Sequence, residues 1–371
     1  MITKTLGNSD TRVSAIGQGM GLGGYSSSSG TYGDLIPVIQ AGVDAGLTFI
    51  DTAPAYGEGE SERIVGRAIS PIRDSVTLGT KVSPADTTAD GVVRSAEDSL
   101  GRLRTDVIDL FQIHWSNPTV PIEDTMAGME RLIQQGKIRH VGVSNFSVNE
   151  LKAARQALAS VPIASLQVEY NLFDRSIEDT MLPYCIENDI TVFAYSPLHR
   201  GRVTSGKRQI ETLERIAADH GCTTAQVALS WLVSQRSVVA IPNTSRQERV
   251  LENAAAGELH LSEVEQDEIS RVCSLQQQEI PTDQIRPASE DSRAAFRTLQ
   301  EALDNTIGST PSPRQLAEQI KAGDFLKPVR LMPVPGVENE YEVLEGRLRY
   351  WAWVIAFDGK KPITALVDDP S

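Results

Sequence analysis

Short apolar runs alternate with longer amphipathic stretches from the start of the chain to about residue 272. The runs at 14–17, 48–51, 76–80, 107–114, 138–143, 165–168, 190–195 and 238–241 predict strands. Between them, stretches such as 91–103, with Val92, Val93, Ala96 and Leu100 on one face, and 123–135 predict helices. Repeated strand–helix units call for a parallel sheet, because each crossover helix returns the chain to the same end. Closure of eight units into an α/β (β/α)8 TIM barrel is the economical arrangement, and an open Rossmann-type sheet is the alternative. The glycine-rich segment 17–24 bears on that choice. Gly19, Gly21 and Gly24 satisfy G-x-G-x-x-G, but a dinucleotide fingerprint should run straight into a helix. Here Tyr25 and four serines follow, which suits a loop at a barrel mouth.

After Cys273 the rhythm breaks, and Pro281 and Pro287 argue against a continuing helix. A boundary is expected near residue 276, with residues 1–275 as the barrel and 276–371 as a second, smaller α+β domain. The latter is expected to hold helices at about 292–303 and 313–322 and strands around Val329, Tyr341 and Ile363.

Composition narrows the function. A chain of 371 residues with 40% hydrophobic content can bury a substantial core. No apolar run is long enough for a membrane span and the start lacks a secretory pattern, so the expected location is the cytoplasm and no membrane partner is expected. Cys185, Cys222 and Cys273 are odd in number and far apart, which fits a reducing compartment and packing roles. Neither they nor the histidines have metal-ligand spacing, so no metal is expected. The formal net charge of −14 opposes nucleic-acid binding over most of the surface, so an anionic ligand needs a local cradle.

Polar residues interrupt the apolar runs at particular places. Asp51 and Tyr56 follow the second predicted strand, Lys81 the third, and His114 ends the fourth. In a barrel those strand ends converge on one face. Each residue has an ordinary structural reading: a helix cap, a rim residue, a solvated lysine, a core histidine. Together they suit carbonyl reduction. Hydride addition builds negative charge on the carbonyl oxygen, so a proton donor must lie within hydrogen-bond reach. A tyrosine is a reluctant acid unless a nearby ammonium stabilises its phenolate. Lys81 would supply that charge, Asp51 would hold Lys81, and His114 would orient the carbonyl and donate to the developing oxyanion.

These segments resemble the signatures of the aldo-keto reductase family over residues 2–272, with Asp51 and Tyr56 in FIDTAPAYGEGE, Lys81 in GTK and His114 in IHW, in the family's order. The resemblance implies reduction of an aldehyde or ketone with a nicotinamide cofactor. Tyr56 would be the general acid, Lys81 and Asp51 would tune it, and His114 would position a small carbonyl substrate. It further implies that Ser144, Asn145 and Gln167 hold the nicotinamide carboxamide, although Ser144 could equally cap the helix after it. Tyr195 would stack under the ring, Ser196, Leu198 and Gly201 would line the pyrophosphate path, and Thr244, Arg246, Arg249, Glu252 and Asn253 would take the adenosine side. Asn243 stands where many relatives carry lysine. Arg246 is expected to compensate, so NADP is favoured and NAD is the alternative. Arg200 and Arg202 either clamp the pyrophosphate or are solvated. Tyr25, the serines at 26–29, Trp115 and Asn117 would line a shallow pocket for a small or medium aldehyde.

The segment 341–353 resembles the ParB-like and sulfiredoxin-like fold, in which a glycine-to-arginine turn at a helix start binds nucleotide phosphate. Gly346, Arg349 and Ala352 match, but Leu348 replaces an expected arginine or histidine and the sulfiredoxin cysteine is missing. The resemblance implies a nucleotide site at Gly346 and Arg349. The alternative is that Trp351 and Trp353 pack and Arg349 makes a surface ion pair. Residues 276–371 carry eleven Lys and Arg against fifteen Asp and Glu, so a nucleic-acid role is not expected. The functional alternative to an enzyme is an NADP(H)-binding sensor with the C-terminal domain as its output; the complete tetrad favours the enzyme.

Overall fold

A computed structural model describes residues 1–21, 35–199, 201, 208–273, 277–287, 296–309, 311–323, 327–334 and 336–367. They fall into two compact units, Met1–Phe146 with Glu150–Cys273, and Ser147–Asn149 with Ser274–Ser371.

The first unit opens with an antiparallel hairpin, β1 (Thr3–Thr5) and β2 (Arg12–Ser14). Eight parallel strands follow in chain order: β3 (Gln18–Gly19), β4 (Phe49–Asp51), β5 (Thr77–Val82), β6 (Ile108–Ile113), β7 (Ile138–Ser144), β8 (Ile163–Glu169), β9 (Thr191–Tyr195) and β10 (Val238–Ala240). Parallel bridges from Ile16 to Ala240 and from Gly19 to Asn243 join the first strand to the last. The sheet therefore closes into a TIM-barrel-like α/β fold, and the open Rossmann sheet is set aside. The expected strand at 14–17 is corrected: Ser14 belongs to the hairpin, whose neighbour Leu6 packs with Val13, Phe49, Leu110 and Phe193. The glycines at 17 and 19 line the wall, since the Gly19 amide bonds Pro242 O at 3.0 Å.

The helices are α1 (Leu35–Asp44), α2 (Glu60–Ile69), α3 (Ala89–Leu103), α4 (Ile122–Gln134), α5 (Val148–Ala157), α6 (Met181–Glu187), α7 (Arg208–His220), α8 (Thr224–Ser234), α9 (Gln247–Ala256) and α10 (Glu263–Cys273). Their ends follow local chemistry. Thr88 caps α3 through its hydroxyl, which accepts from Gly91 N, and left-handed Arg104 ends it, while Val92, Val93 and Ala96 are buried on the inward face. A reciprocal Thr223–Gln226 capping box starts α8.

The second unit holds β11 (Gln277–Ile280), β12 (Ile285–Arg286), α11 (Leu299–Leu303), α12 (Pro313–Lys321), β13 (Val329–Pro333), β14 (Tyr341–Glu345), α13 (Arg347–Phe357) and β15 (Ile363–Val367). The sheet order is β11-β15-β13-β14-β12, with parallel and antiparallel pairings mixed. Val329, Leu331, Val343, Ile363 and Ala365 form a core with Phe296, Tyr350 and Trp351. The expected helix at 292–303 is corrected where it is described. Thr298 is extended and its hydroxyl accepts from Glu301 N, which starts the helix only at Leu299. Two short strands around Pro281 went unforeseen; the proline sits between them, where no sheet hydrogen bond needs its missing N–H.

Candidate active site

The chemistry gathers at the C-terminal ends of β4 to β9. Asp51 ends β4, and Tyr56 lies in the turn after it, where its amide bonds Ala53 O at 3.1 Å. β5 runs to Val82, longer than expected, so Lys81 is a strand residue whose side chain is wholly enclosed. Its Nζ donates to Asp51 Oδ2 at 2.6 Å, to Thr52 O at 3.0 Å and to Tyr56 Oη at 3.3 Å. His114 follows β6, its ring edge-on to Tyr56 with centroids 5.7 Å apart. The four residues that the apolar runs single out are therefore brought together.

Burial governs their protonation. It raises the Tyr56 hydroxyl above its usual range, against the opposing pull of the Lys81 ammonium, and Asp51 adds to the rise. The Lys81 ammonium pulls the hydroxyl down, in the direction expected of it, and offsets part of the desolvation. Lys81 itself is pulled down by burial, but Asp51 and Tyr56 outweigh that and leave it raised, so it stays charged. Burial and then the Lys81 charge push His114 down to about 3, which makes it a neutral imidazole at working pH. At neutral pH the site therefore combines a protonated tyrosine, a charged lysine and a neutral histidine.

Two glutamines complete the Asp51 environment. Gln167 and Gln112 each donate an amide hydrogen to Oδ1, at 2.9 Å and 3.2 Å. Gln167, expected to hold the nicotinamide carboxamide, thus has its side-chain amide on the carboxylate. Gln112 was not foreseen, although a glutamine inside the apolar run Ile-Asp-Leu-Phe-Gln-Ile was a readable signal.

Ser144 ends β7 and is buried, and left-handed Asn145 follows it. The Asn145 amide donates to Ser144 Oγ at 2.9 Å and to His114 O at 3.2 Å, while its Oδ1 accepts from the Tyr195 hydroxyl at 3.0 Å. Tyr195 ends β9, followed by left-handed Ser196, whose carbonyl accepts from Asn171 Nδ2. The Gly201 amide bonds Leu198 O at 2.9 Å. Thr244 accepts from the amide of Arg246, which begins α9 without a side-chain cap. Arg246 and Arg249 are exposed and Asn253 is buried, while Glu252 accepts from Thr223 Oγ1 at 2.5 Å. A cleft between β3, α1 and α9 is lined by Gln18, Met20, Thr244 and Asn253. Trp115 is exposed at 45%. Asn117 donates to Pro84 O at 2.8 Å. Tyr25, the serines at 26–29, Arg200 and Arg202 lie outside the described residues.

In the second unit Gly346 is left-handed, with φ 91°, and begins α13. The Arg349 guanidinium folds back beneath it, donating to Lys327 O and Pro328 O at 3.0 Å each and lying 3.7 Å from Glu345. Trp351 is a packing residue that bonds Phe296 O at 2.9 Å. Trp353 donates to Lys361 O and packs against Phe357.

A tyrosine hydroxyl is thus held against a buried ammonium on the strand-end rim of a closed parallel barrel. Residues 16–274 match the aldo/keto reductase family, and the chain belongs to that family; it is an NAD(P)H-dependent oxidoreductase that acts on carbonyl groups. It is 38% identical over 257 residues to methylglyoxal reductase YeaE of Escherichia coli strain K12, covering 69% of this chain and 89% of that protein. Among solved structures it resembles the thermostable aldo-keto reductase Tm1743 in complex with the inhibitor epalrestat. The TM-score is 0.70 at 38% identity, covering 73% of this chain and 100% of that one. It also resembles the Klebsiella pneumoniae aldo/keto reductase in complex with NADP and acetate. There the TM-score is 0.67 at 36% identity, covering 73% of this chain and 95% of that one. The residues present fit such a dinucleotide: the Arg246 side chain makes no cap at the start of α9, Arg246 and Arg249 are exposed there, and an aromatic ring stands at the end of β9.

Proposed function

We propose that the chain reduces a small or medium aldehyde or ketone with NADPH, with Tyr56 as general acid, Lys81 and Asp51 as its tuning pair and His114 as the group that positions the carbonyl. The observation that carries this reading is the Lys81 ammonium, wholly enclosed and shared between Asp51 Oδ2 and Tyr56 Oη. Burying a charged pair is weak support for a fold, because desolvation offsets most of the attraction. Next to a tyrosine hydroxyl at a barrel mouth it has a chemical use.

When bound, the cofactor supplies a hydride to the carbonyl carbon. Tyr56 is held protonated by burial, so it meets the substrate as a loaded acid. As negative charge develops on oxygen, its proton moves there, and the Lys81 ammonium stabilises the phenolate left behind. His114 is neutral, so it donates a hydrogen bond to that oxygen without supplying the proton. Ser144, Asn145 and Gln167 hold the nicotinamide carboxamide, Gln167 by turning from Asp51. Tyr195 stacks on the ring, and Ser196, Leu198 and Gly201 carry the pyrophosphate. Thr244, Glu252 and Asn253 meet the adenosine, and Arg246 and Arg249 read a 2′-phosphate, which favours NADPH over NADH. Trp115 forms part of the substrate wall. Three unpaired cysteines suit a reducing, cytoplasmic setting.

Residues 1–275 carry this chemistry, and residues 276–371 form an accessory domain resembling the ParB-like and sulfiredoxin-like fold. Its nucleotide site would use the amides after Gly346, with Arg349 exchanging two carbonyls for phosphate; calorimetric titration with nucleotides tests it.

The reduction itself is tested by following NADPH absorbance with a panel of aldehydes and ketones. The panel includes methylglyoxal, the compound in the name of the Escherichia coli relative. Substrate-dependent NADPH consumption is expected, faster than with NADH at equal concentration. Tight cofactor binding with no consumption across the panel would favour the sensor instead.

A further inference from the structure

We infer that Gln112 is a positioning residue for proton transfer: its amide anchors Asp51, and through Asp51 it fixes the Lys81 ammonium against Tyr56. The inference rests on Tyr56 being the acid.

β6 is buried along its whole length, and Gln112 has no exposed surface. Its Nε2 donates to Asp51 Oδ1, but its Oε1 has no hydrogen-bond partner among the described residues. An unmet buried acceptor destabilises a fold, and a leucine of similar volume would avoid that cost. What the glutamine does provide is one end of a fixed carboxylate. Asp51 Oδ1 is held from one side by Gln112 and from another by Gln167, which leaves Oδ2 aimed at Lys81 Nζ at 2.6 Å. Gln167 has a second proposed duty at the nicotinamide. Gln112 has no such second duty, so its hydrogen bond to Asp51 would remain when Gln167 turns to the nicotinamide.

The neighbouring strand is shaped to admit it. Gln112 pairs in register with Gly142 of β7, and a Cβ on Gly142 would lie 2.9 Å from Gln112 Cγ and 2.3 Å from Ser165 Oγ. Any side chain at 142 would press on the glutamine. The electrical consequence has a definite sign. An amide hydrogen on Oδ1 offsets part of the Asp51 negative charge, and that charge is one of the influences that raise the Tyr56 hydroxyl. Without the amide, Tyr56 becomes a weaker acid, and Oδ1 of the carboxylate is held by Gln167 alone.

The test uses the full chain and steady-state reduction of one aldehyde across pH, with Gln112→Leu, Gln112→Glu and Tyr56→Phe. Gln112→Leu gives up both the unmet Oε1 and the hydrogen bond to Asp51, two changes of opposite sign, so it is expected to melt within a few degrees of the parent. Its kcat should fall roughly tenfold, the scale of one hydrogen bond to a charged group, with little change in KM. Its alkaline limb should move up by about half a pH unit or more. Gln112→Glu can donate to Asp51 only while its carboxyl is protonated, so its kcat should show an additional fall with rising pH that the parent lacks. A Gln112→Leu protein with parental kcat and pH profile overturns the inference, and so does a Gln112→Glu profile without the added limb. If Tyr56→Phe is inactive while both Gln112 variants behave as the parent, only the role of Gln112 is lost. A fully active Tyr56→Phe removes the acid assignment and this inference with it.

Discussion

His114 sits where accepting a proton is costly: it is buried, and the Lys81 ammonium faces it, so its pKa falls to about 3 from a usual 6.5. The folded protein therefore refuses a proton that the unfolded chain accepts. The stability tied to this residue is fully present above pH 6.5 and is lost as pH falls toward about 3. Thermal melting between about pH 7 and about pH 4 should fall more steeply in the parent than in His114→Gln. Parallel melting curves would contradict this environment for the histidine. At this scale Asp51, Lys81 and His114 were legible because each is a polar residue at the end of an apolar run. The direction of the Tyr56 shift was not, because desolvation depends on what packs around the hydroxyl. The Gln167 rotamer was hidden for a similar reason: sequence places an amide on a strand, but the neighbouring carboxylate sets which way it turns.

Most barrel strands were readable because each is an apolar run flanked by helical periodicity. The exceptions are instructive. At 14–17 the apolar signal came from a chain passing between the hairpin and the wall, whereas β3 itself is the polar, glycine-containing pair Gln18–Gly19. Its strand character comes from neighbours, since the Met20 amide bonds Asp51 O at 2.8 Å. At α11 the Thr298 cap overrode helical propensity at Phe296 and Arg297. The element with the clearest functional consequence is α9. Its uncapped start, with Arg246 and Arg249 exposed, suits an extra phosphate. Arg246→Ala and Arg249→Ala should each weaken NADPH binding by about tenfold or more and leave NADH nearly unchanged, as expected for a lost charge-assisted hydrogen bond. Fluorescence titration with both cofactors checks this, and equal losses would show that the arginines do not read that phosphate.

The chain divides into two compact units, and the proposed catalytic and cofactor residues all lie in the first. Separate expression of residues 1–275 and 276–371 should give a first piece that reduces aldehydes with NADPH; a well-folded but inactive first piece would contradict the proposed independence. The break after Cys273 was legible from the lost rhythm and two prolines, while the five-stranded sheet beyond it was only partly so, because its short edge strands carry little pattern. The account as a whole turns on one hydroxyl proton. Its most direct test is the NADPH-dependent reduction rate of Tyr56→Phe beside the parent, with NADPH affinity measured on both. Removing the acid should lower turnover by roughly two to four decades while NADPH still binds. Turnover equal to the parent, with the cofactor bound equally well, would contradict the central claim.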